Sequence, residues 1–164
     1  MPKKPSINVL LRNPNEISIW KRGFAFLIDL IIIEFIVNLT FNNYIQKTIG
    51  DNKGIIEMYQ YINANYDLFS GFLLTISIIT AIIALIYFVL LEWKLNQSLG
   101  KMIFKIKVYP AKLKFWQALV RNIPKALFLV NYVSWVFLFD LIYLTFTRQR
   151  FFDKLAKTYL VKVK

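Results

Sequence analysis

Three apolar runs separated by polar segments dominate the chain. Gly23 to Phe41 runs for 19 residues, interrupted by Asp29, Glu34 and a few neutral polar groups. At ~1.5 Å per residue it reaches about 28 Å, close to the hydrocarbon thickness of a bilayer, which predicts a first membrane span. Leu68 to Leu91 is 24 residues without a charge and predicts a second. Ala126 to Phe146 is apolar for 21 residues except Asn131, Ser134 and Asp140. Residues 42–67 read as a polar external loop whose tyrosines (Tyr44, Tyr59, Tyr61, Tyr66) suit a membrane–water interface. Ser70, Ser77, Ala81 and Ala84 recur at helical spacing on the second run, a small-residue stripe that lets helices approach closely.

The period changes after Glu92. Phe104, Ile106 and Val108 alternate with Lys105 and Lys107, and Tyr159, Val161 and Val163 alternate with Lys162 and Lys164. Period two predicts strands over 102–109 and 158–163 that pair with each other. Between them Trp116, Leu119, Val120 and Ile123 form an apolar face, with Lys112, Lys114, Gln117 and Arg121 largely elsewhere. That pattern predicts an amphipathic helix at the membrane surface, interrupted or kinked at Pro124. The third run then has two routes. A single crossing would export a tail with six basic residues and one acid, against the positive-inside bias. A returning hairpin over Phe115 to Phe146 gives about 16 residues, roughly 24 Å, per arm, with a turn near Asn131 to Ser134. Tail charge and strand pairing favour the hairpin.

Charge sharpens this picture. Nineteen of the 21 basic residues lie in three segments that flank the apolar runs, while Asp29, Glu34 and Asp140 are the charges inside those runs. A net charge of +12 is that of positive-inside topology here, not of a nucleic-acid partner. Hydrophobic residues make up 57% and mean hydropathy is +0.49, above soluble domains. The expected architecture is an all-α transmembrane bundle: two full spans plus a C-terminal helical hairpin or third span, with a short cytoplasmic two-stranded β element. The first run carries two acids and lacks a small-residue cleavage motif, so it is expected to stay as a helix rather than be removed as a signal peptide. The N-terminus is expected in the cytoplasm, and some lysines are placed to touch anionic lipid headgroups.

The chain has no Cys and no His. Thiol chemistry, imidazole shuttles and N/S metal sites are therefore closed to it. With no nucleophile–base pair or phosphate loop in view, it reads as a non-enzyme without cofactor or metal. Acids in hydrocarbon are costly, at ~2.5–3.5 kcal/mol for a central Asp, and mark candidate function. Asp29 lies seven residues after Arg22 on one helix face but about 10 Å further along, too far for a direct pair. Its expected partners are Arg121 or Lys125, a backbone group, or a bound cation. Glu34 is rotated away, towards an aqueous cavity or another helix. Asp140 fits the hydrated cytoplasmic end of its helix. Asp153 can cap the turn before the last strand, or pair with Arg121 or Lys101. Gly100 reads as a turn glycine with positive φ or as a close-packing point.

Three stretches carry a resemblance. Trp20-Lys21-Arg22-Gly23-Phe24-Ala25-Phe26-Leu27-Ile28-Asp29, then Gln97-Ser98-Leu99-Gly100-Lys101-Met102, then Arg148-Gln149-Arg150-Phe151-Phe152-Asp153-Lys154-Leu155-Ala156-Lys157-Thr158 resemble, in order, the conserved pieces of the RDD family of bacterial membrane proteins. The resemblance implies an inner-membrane domain over 17–164 after a lead-in of 1–16. It marks Arg22, Asp29 and Asp153, with Asp140 as the rival for the last, as the arginine and two aspartates of the family name. Phe152 stands where the family commonly has His, and Lys157 where it commonly has Gly. Transport, including cation/proton exchange, has been suggested for the family. The expectation is thus a transporter coupling a small cation to protons through intramembrane carboxylates, with dimerisation through the Ser/Ala stripe. The alternative is a non-transporting scaffold or assembly factor with a basic cytoplasmic face. Arg121, Lys125, Glu34 and Asp140 are secondary site candidates.

Overall fold

The computed structural model describes residues 17–49, 55–110 and 112–162. Seven helices and two strands follow in order: α1 (Ile19–Ile49), α2 (Ile55–Ala64), α3 (Tyr66–Leu95), α4 (Leu99–Ile103), β1 (Ile106–Tyr109), α5 (Phe115–Leu127), α6 (Trp135–Thr147), α7 (Phe151–Leu155) and β2 (Tyr159–Lys162). A 3-10 turn, Asn131–Val133, joins α5 to α6.

Two helices are long and apolar enough to cross a membrane, over Ile19–Asn42 and Ser70–Leu95. Only 17% and 22% of their apolar windows is buried within the chain, whereas the core helix of a soluble protein would be mostly buried. Their outward faces carry Phe24, Leu27, Ile31, Phe35 and Leu39 on α1, and Ile78, Ile82, Ile86 and Leu90 on α3. The inside is the reverse: Arg121, Glu92, Asn122, Asp29, Asp140 and Asp153 are among the largest fully buried side chains. Apolar surface outside and charge inside is the arrangement that hydrocarbon solvent favours.

The third apolar run folds back on itself. α5 and α6 have 13 residues each, about 20 Å. β1 and β2 pair antiparallel, Ile106 opposite Lys162 and Tyr109 opposite Tyr159. A chain that leaves from one strand and returns to its neighbour must come back to the same end, and the turn falls at residues 131–134.

Several expectations are corrected. The polar loop after the first run is largely helical among the described residues: α1 continues to Ile49 and α2 covers Ile55–Ala64. The first strand begins at Ile106, since 99–103 form α4. In β2 the buried residue is Leu160, not Tyr159 or Val161. Leu160 joins Ile17, Val89, Ile106, Val108, Leu113 and Ala118 in the core under the sheet, so the opposite parity faces inward. Val163 and Lys164 lie outside the described residues. α5 is amphipathic but inverted: Gln117, Arg121, Asn122 and Lys125 are buried and Trp116 is exposed. It packs on α3 rather than floating at a surface, and it runs three residues past Pro124. The helix packing expected of the small-residue stripe is seen at Ala81 and Ala84, which are buried within the chain, Ala84 beside Ile33 and Phe88.

Lys157 sits on a strained stretch of backbone. Its φ is 53°, in the left-handed region where a Cβ costs roughly 1–2 kcal/mol and glycine costs least. We expect Lys157→Gly to raise the thermal midpoint in detergent, by a stability gain of about 0.5–1 kcal/mol after glycine's greater unfolded-state entropy is subtracted. An unchanged or lower midpoint would mean that the lysine side chain contributes more than its backbone strain removes.

Candidate functional site

Asp29 sits on the inner face of α1, 1% exposed. Its carboxylate accepts three hydrogen bonds, from Tyr87 Oη at 2.9 Å, Ser98 Oγ at 2.5 Å and the Gly100 amide at 2.8 Å. Ser98 is the N-cap residue of α4, and Gly100 lies in its first turn. Gly100 is a close-packing point rather than a turn glycine: a Cβ there would meet the Ala25 carbonyl oxygen of α1. The backbone therefore approaches near enough for its N–H to reach Asp29. A backbone group is one of the partners expected for Asp29; Arg121 and Lys125, also expected, both go elsewhere.

They go to Glu92, at the end of α3 and fully buried. Its Oε1 meets Lys101 Nζ at 2.5 Å and Lys125 Nζ at 3.1 Å. Its Oε2 meets Arg121 Nε at 2.9 Å and accepts from Asn122 Nδ2 at 2.9 Å. Arg121 continues to Asp153 Oδ1 at 3.2 Å, and Arg150 pairs with the same carboxylate at 2.7 and 3.1 Å. Arg150 Nε lies 3.9 Å from Asp140 Oδ2. The result is a continuous buried chain, Lys101 and Lys125 to Glu92 to Arg121 to Asp153 to Arg150 to Asp140, crossing from α3 and α4 through α5 to α7 and α6. Four cations face three carboxylates, leaving one positive charge in excess. Spacing on α5 makes this work: Arg121, Asn122 and Lys125 stand at i, i+1 and i+4, one helix face.

Outside the apolar segments the electrostatics are legible in Asp153 and Arg150. Burial by itself pushes the Asp153 carboxyl up; Arg121 and Arg150 overcome it and hold it down at about 2. Burial likewise pulls the Arg150 guanidinium down, and Asp153 with Asp140 more than restores it, so it stays above its ordinary value. Both groups are charged at neutral pH.

Asp140 is buried, not hydrated, and its Oδ1 accepts the Phe152 amide at 3.2 Å at the start of α7. Asp153 caps nothing with its side chain; its backbone carbonyl takes both the Thr158 amide and hydroxyl. Arg22 donates to the Arg148 carbonyl at 3.2 Å, tying α1 to the end of α6. Glu34 is exposed on the outward face of α1 and takes no part. Among the described residues no cluster of three or more acids, His or Cys is placed to hold a metal ion.

Glu92, Asn122, Tyr87 and Arg150 were not anticipated as site residues. One signal was available for Glu92: it is the only acid between Asp67 and Asp140, against eight bases. No signal marked Tyr87, which reads as one more apolar-run aromatic.

A partly open cavity of about 100 Å³ adjoins the charged chain. One wall is a stripe of α1, with Ile19, Arg22, Gly23, Phe26 and Asp29; the facing wall is Phe137, Leu141 and Leu144 of α6. Lys101, Lys125 and Arg150 reach it from the network. No curated protein and no solved structure matches the chain. The three motif stretches nevertheless meet in space, since Arg22 and Asp29 come from the first, Ser98, Gly100 and Lys101 from the second, and Arg150 and Asp153 from the third. The sequence model of the RDD family matches residues 17–157, which hold all of them, and the chain belongs to the RDD family.

Proposed function

We propose that this chain is a multi-pass membrane protein, seated with its sheet end in the bacterial cytoplasm, that binds an anion at the α1–α6 cavity. One observation carries the binding reading. Four cations, Arg22, Lys101, Lys125 and Arg150, line the cavity with a single carboxylate, Asp29, that is already engaged by three donors. Three of these cations are paired with Glu92, Asp153 and Asp140 behind the cavity, and the one positive charge left in excess favours an oxyanion over Na⁺ or Li⁺. The orientation is supported by the exposed lysines at the sheet end, Lys94, Lys105, Lys107, Lys114, Lys154 and Lys162, opposite an apolar belt.

Cation/proton exchange through Asp29 is the second reading. It is favoured by the hydroxyl oxygens of Tyr87 and Ser98 beside that carboxylate, since hard oxygens are the ligands alkali and alkaline-earth cations take. The two readings separate in one comparison. Anion binding expects inorganic phosphate to raise the thermal midpoint of the full chain in detergent above that in chloride of equal ionic strength. It expects no Na⁺- or Li⁺-driven proton movement above empty liposomes. Flux that vanishes in Asp29→Asn at matched folded protein, with no effect of phosphate, would overturn it in favour of exchange. Single cysteines at Lys107 and Asn63 test orientation, labelled from the cytoplasmic and opposite sides respectively; labelling of both from one side would refute the two-span arrangement.

A further inference from the structure

Gly23 lies inside α1, where glycine costs about 1 kcal/mol relative to alanine. A helix glycine usually answers to a neighbour that leaves no room for a side chain, as Gly100 does. Gly23 has no such neighbour: a Cβ built there meets nothing within 4 Å, and the residue borders the cavity. The space beside it is therefore open although the polar floor next to it is tightly packed.

The cavity has two chemistries. Its floor is lined by Lys101, Lys125 and Arg150, with Arg22 on the α1 wall. Lys101 Nζ spends one of its three N–H donors on Glu92, and Lys125 Nζ spends two, on Glu92 and Asn122 Oδ1. Lys125 Nζ also lies over the Phe88 ring, 4.2 Å from its centroid, so the donors left for a ligand are chiefly those of Lys101. The walls are apolar: Ile19 and Phe26 from α1, Phe137, Leu141 and Leu144 from α6. Phe26 and Phe137 meet across the gap at 5.2 Å between ring centroids. Both helices turn large apolar side chains outward on either side of it. A free anion would use the floor and leave the apolar walls unused. An amphiphile uses both.

We propose that the cavity is a lipid site: it takes the phosphate of an anionic phospholipid on Lys101, Lys125, Arg150 and Arg22, with an acyl chain lying between α1 and α6 past Gly23. The proposal rests on the anion-binding reading and adds the apolar half of the ligand. It assigns Gly23 a role, that of leaving a passage. It also accounts for the one positive charge in excess within the buried network, which the phosphodiester would balance.

The test titrates full-length protein in detergent with dioleoyl phosphatidylglycerol, dioleoyl phosphatidylcholine, or inorganic phosphate, reading the thermal midpoint and, by native mass spectrometry, the bound mass. Phosphatidylglycerol should raise the midpoint saturably with one lipid bound, and phosphatidylcholine should do so at least about tenfold more weakly. Gly23→Leu fills the passage without a Cβ clash and with better helix propensity, so it should fold at least as well as wild type. It should lose the phosphatidylglycerol response while keeping any response to phosphate. Arg22→Gln should weaken both. Equal responses to the two lipids, or an undiminished phosphatidylglycerol response in Gly23→Leu, would overturn the lipid site. Protection by inorganic phosphate alone would overturn the lipid site and leave anion binding standing. No response to any of the three would remove both.

Discussion

Arg121→Met should leave little folded, monodisperse protein in a detergent extract, and what is recovered should melt far below wild type. Arg121 has no exposed surface and bridges two buried carboxylates, Glu92 and Asp153. Removing the guanidinium takes one counter-charge from each acid and breaks the link between them, in a place water does not reach. Breaking a buried pair from one side costs about 3–5 kcal/mol, a large part of a typical net stability of ~5–15 kcal/mol. Lys101, Lys125 and Asn122 still hold Glu92, and Arg150 still holds Asp153, so the damage should fall short of complete unfolding. Arg121→Lys should recover only part of it, because an ammonium is a point charge and cannot reach both acids as the planar fork does. The informative companion is Glu92→Gln/Arg121→Met/Asp153→Asn. Removing both signs together should cost less than the sum of the single changes, the non-additivity expected of one network. A single Arg121→Met that melts with wild type would show that the ion-pair chain does not hold the hairpin to α3 and α7.

Gly100→Ala should be nearly as damaging, although it adds only one methyl group. Its Cβ would stand 2.0 Å from the Ala25 carbonyl oxygen, 2.9 Å from that carbonyl carbon and 3.0 Å from Asp29 Cγ. The first two are backbone and cannot rotate away, so α4 must lift off α1. Overpacking of this kind costs about 1–3 kcal/mol. The shift also stretches the Gly100 and Ser98 bonds to Asp29, and hydrogen bonds to a charged acceptor contribute ~1.5–3 kcal/mol each. Gly23→Ala and Gly71→Ala are the controls, because a Cβ at either meets nothing within 4 Å. They should be neutral or stabilising by up to about 1 kcal/mol, as alanine is in a helix interior. Thermal midpoints of the three variants in one detergent settle the matter. A loss equal at all three positions would trace to glycine's general flexibility and not to the contact between α1 and α4.

The site was legible in part. Arg22, Asp29, Arg121, Lys125, Asp140 and Asp153 were each visible as charges in or beside apolar runs, and all are buried or half-buried around one centre. Their pairing was not visible. Asp29 lies 92 residues from Arg121, and nothing local says that a serine, a tyrosine and an amide will satisfy it instead. Glu92 was overlooked because it stands at a boundary, where an acid ordinarily faces water. The parity of β2 is not legible locally because Tyr159, Leu160 and Val161 are three consecutive residues with apolar surface, so alternation has two solutions that only the neighbouring core distinguishes.

What the chain's own order of residues determined is the membrane character, the number of apolar segments and the existence of a strand pair. Each follows from a one-dimensional quantity: run length against bilayer thickness, charge against flank, and period two against 3.6. Tertiary structure alone decided which cation meets which acid, that the polar face of α5 turns inward, and that Gly100 is a contact while Gly23 borders open space. Those depend on distances between segments far apart in sequence, where a shift of an ångström exchanges a hydrogen bond for an unpaired buried charge.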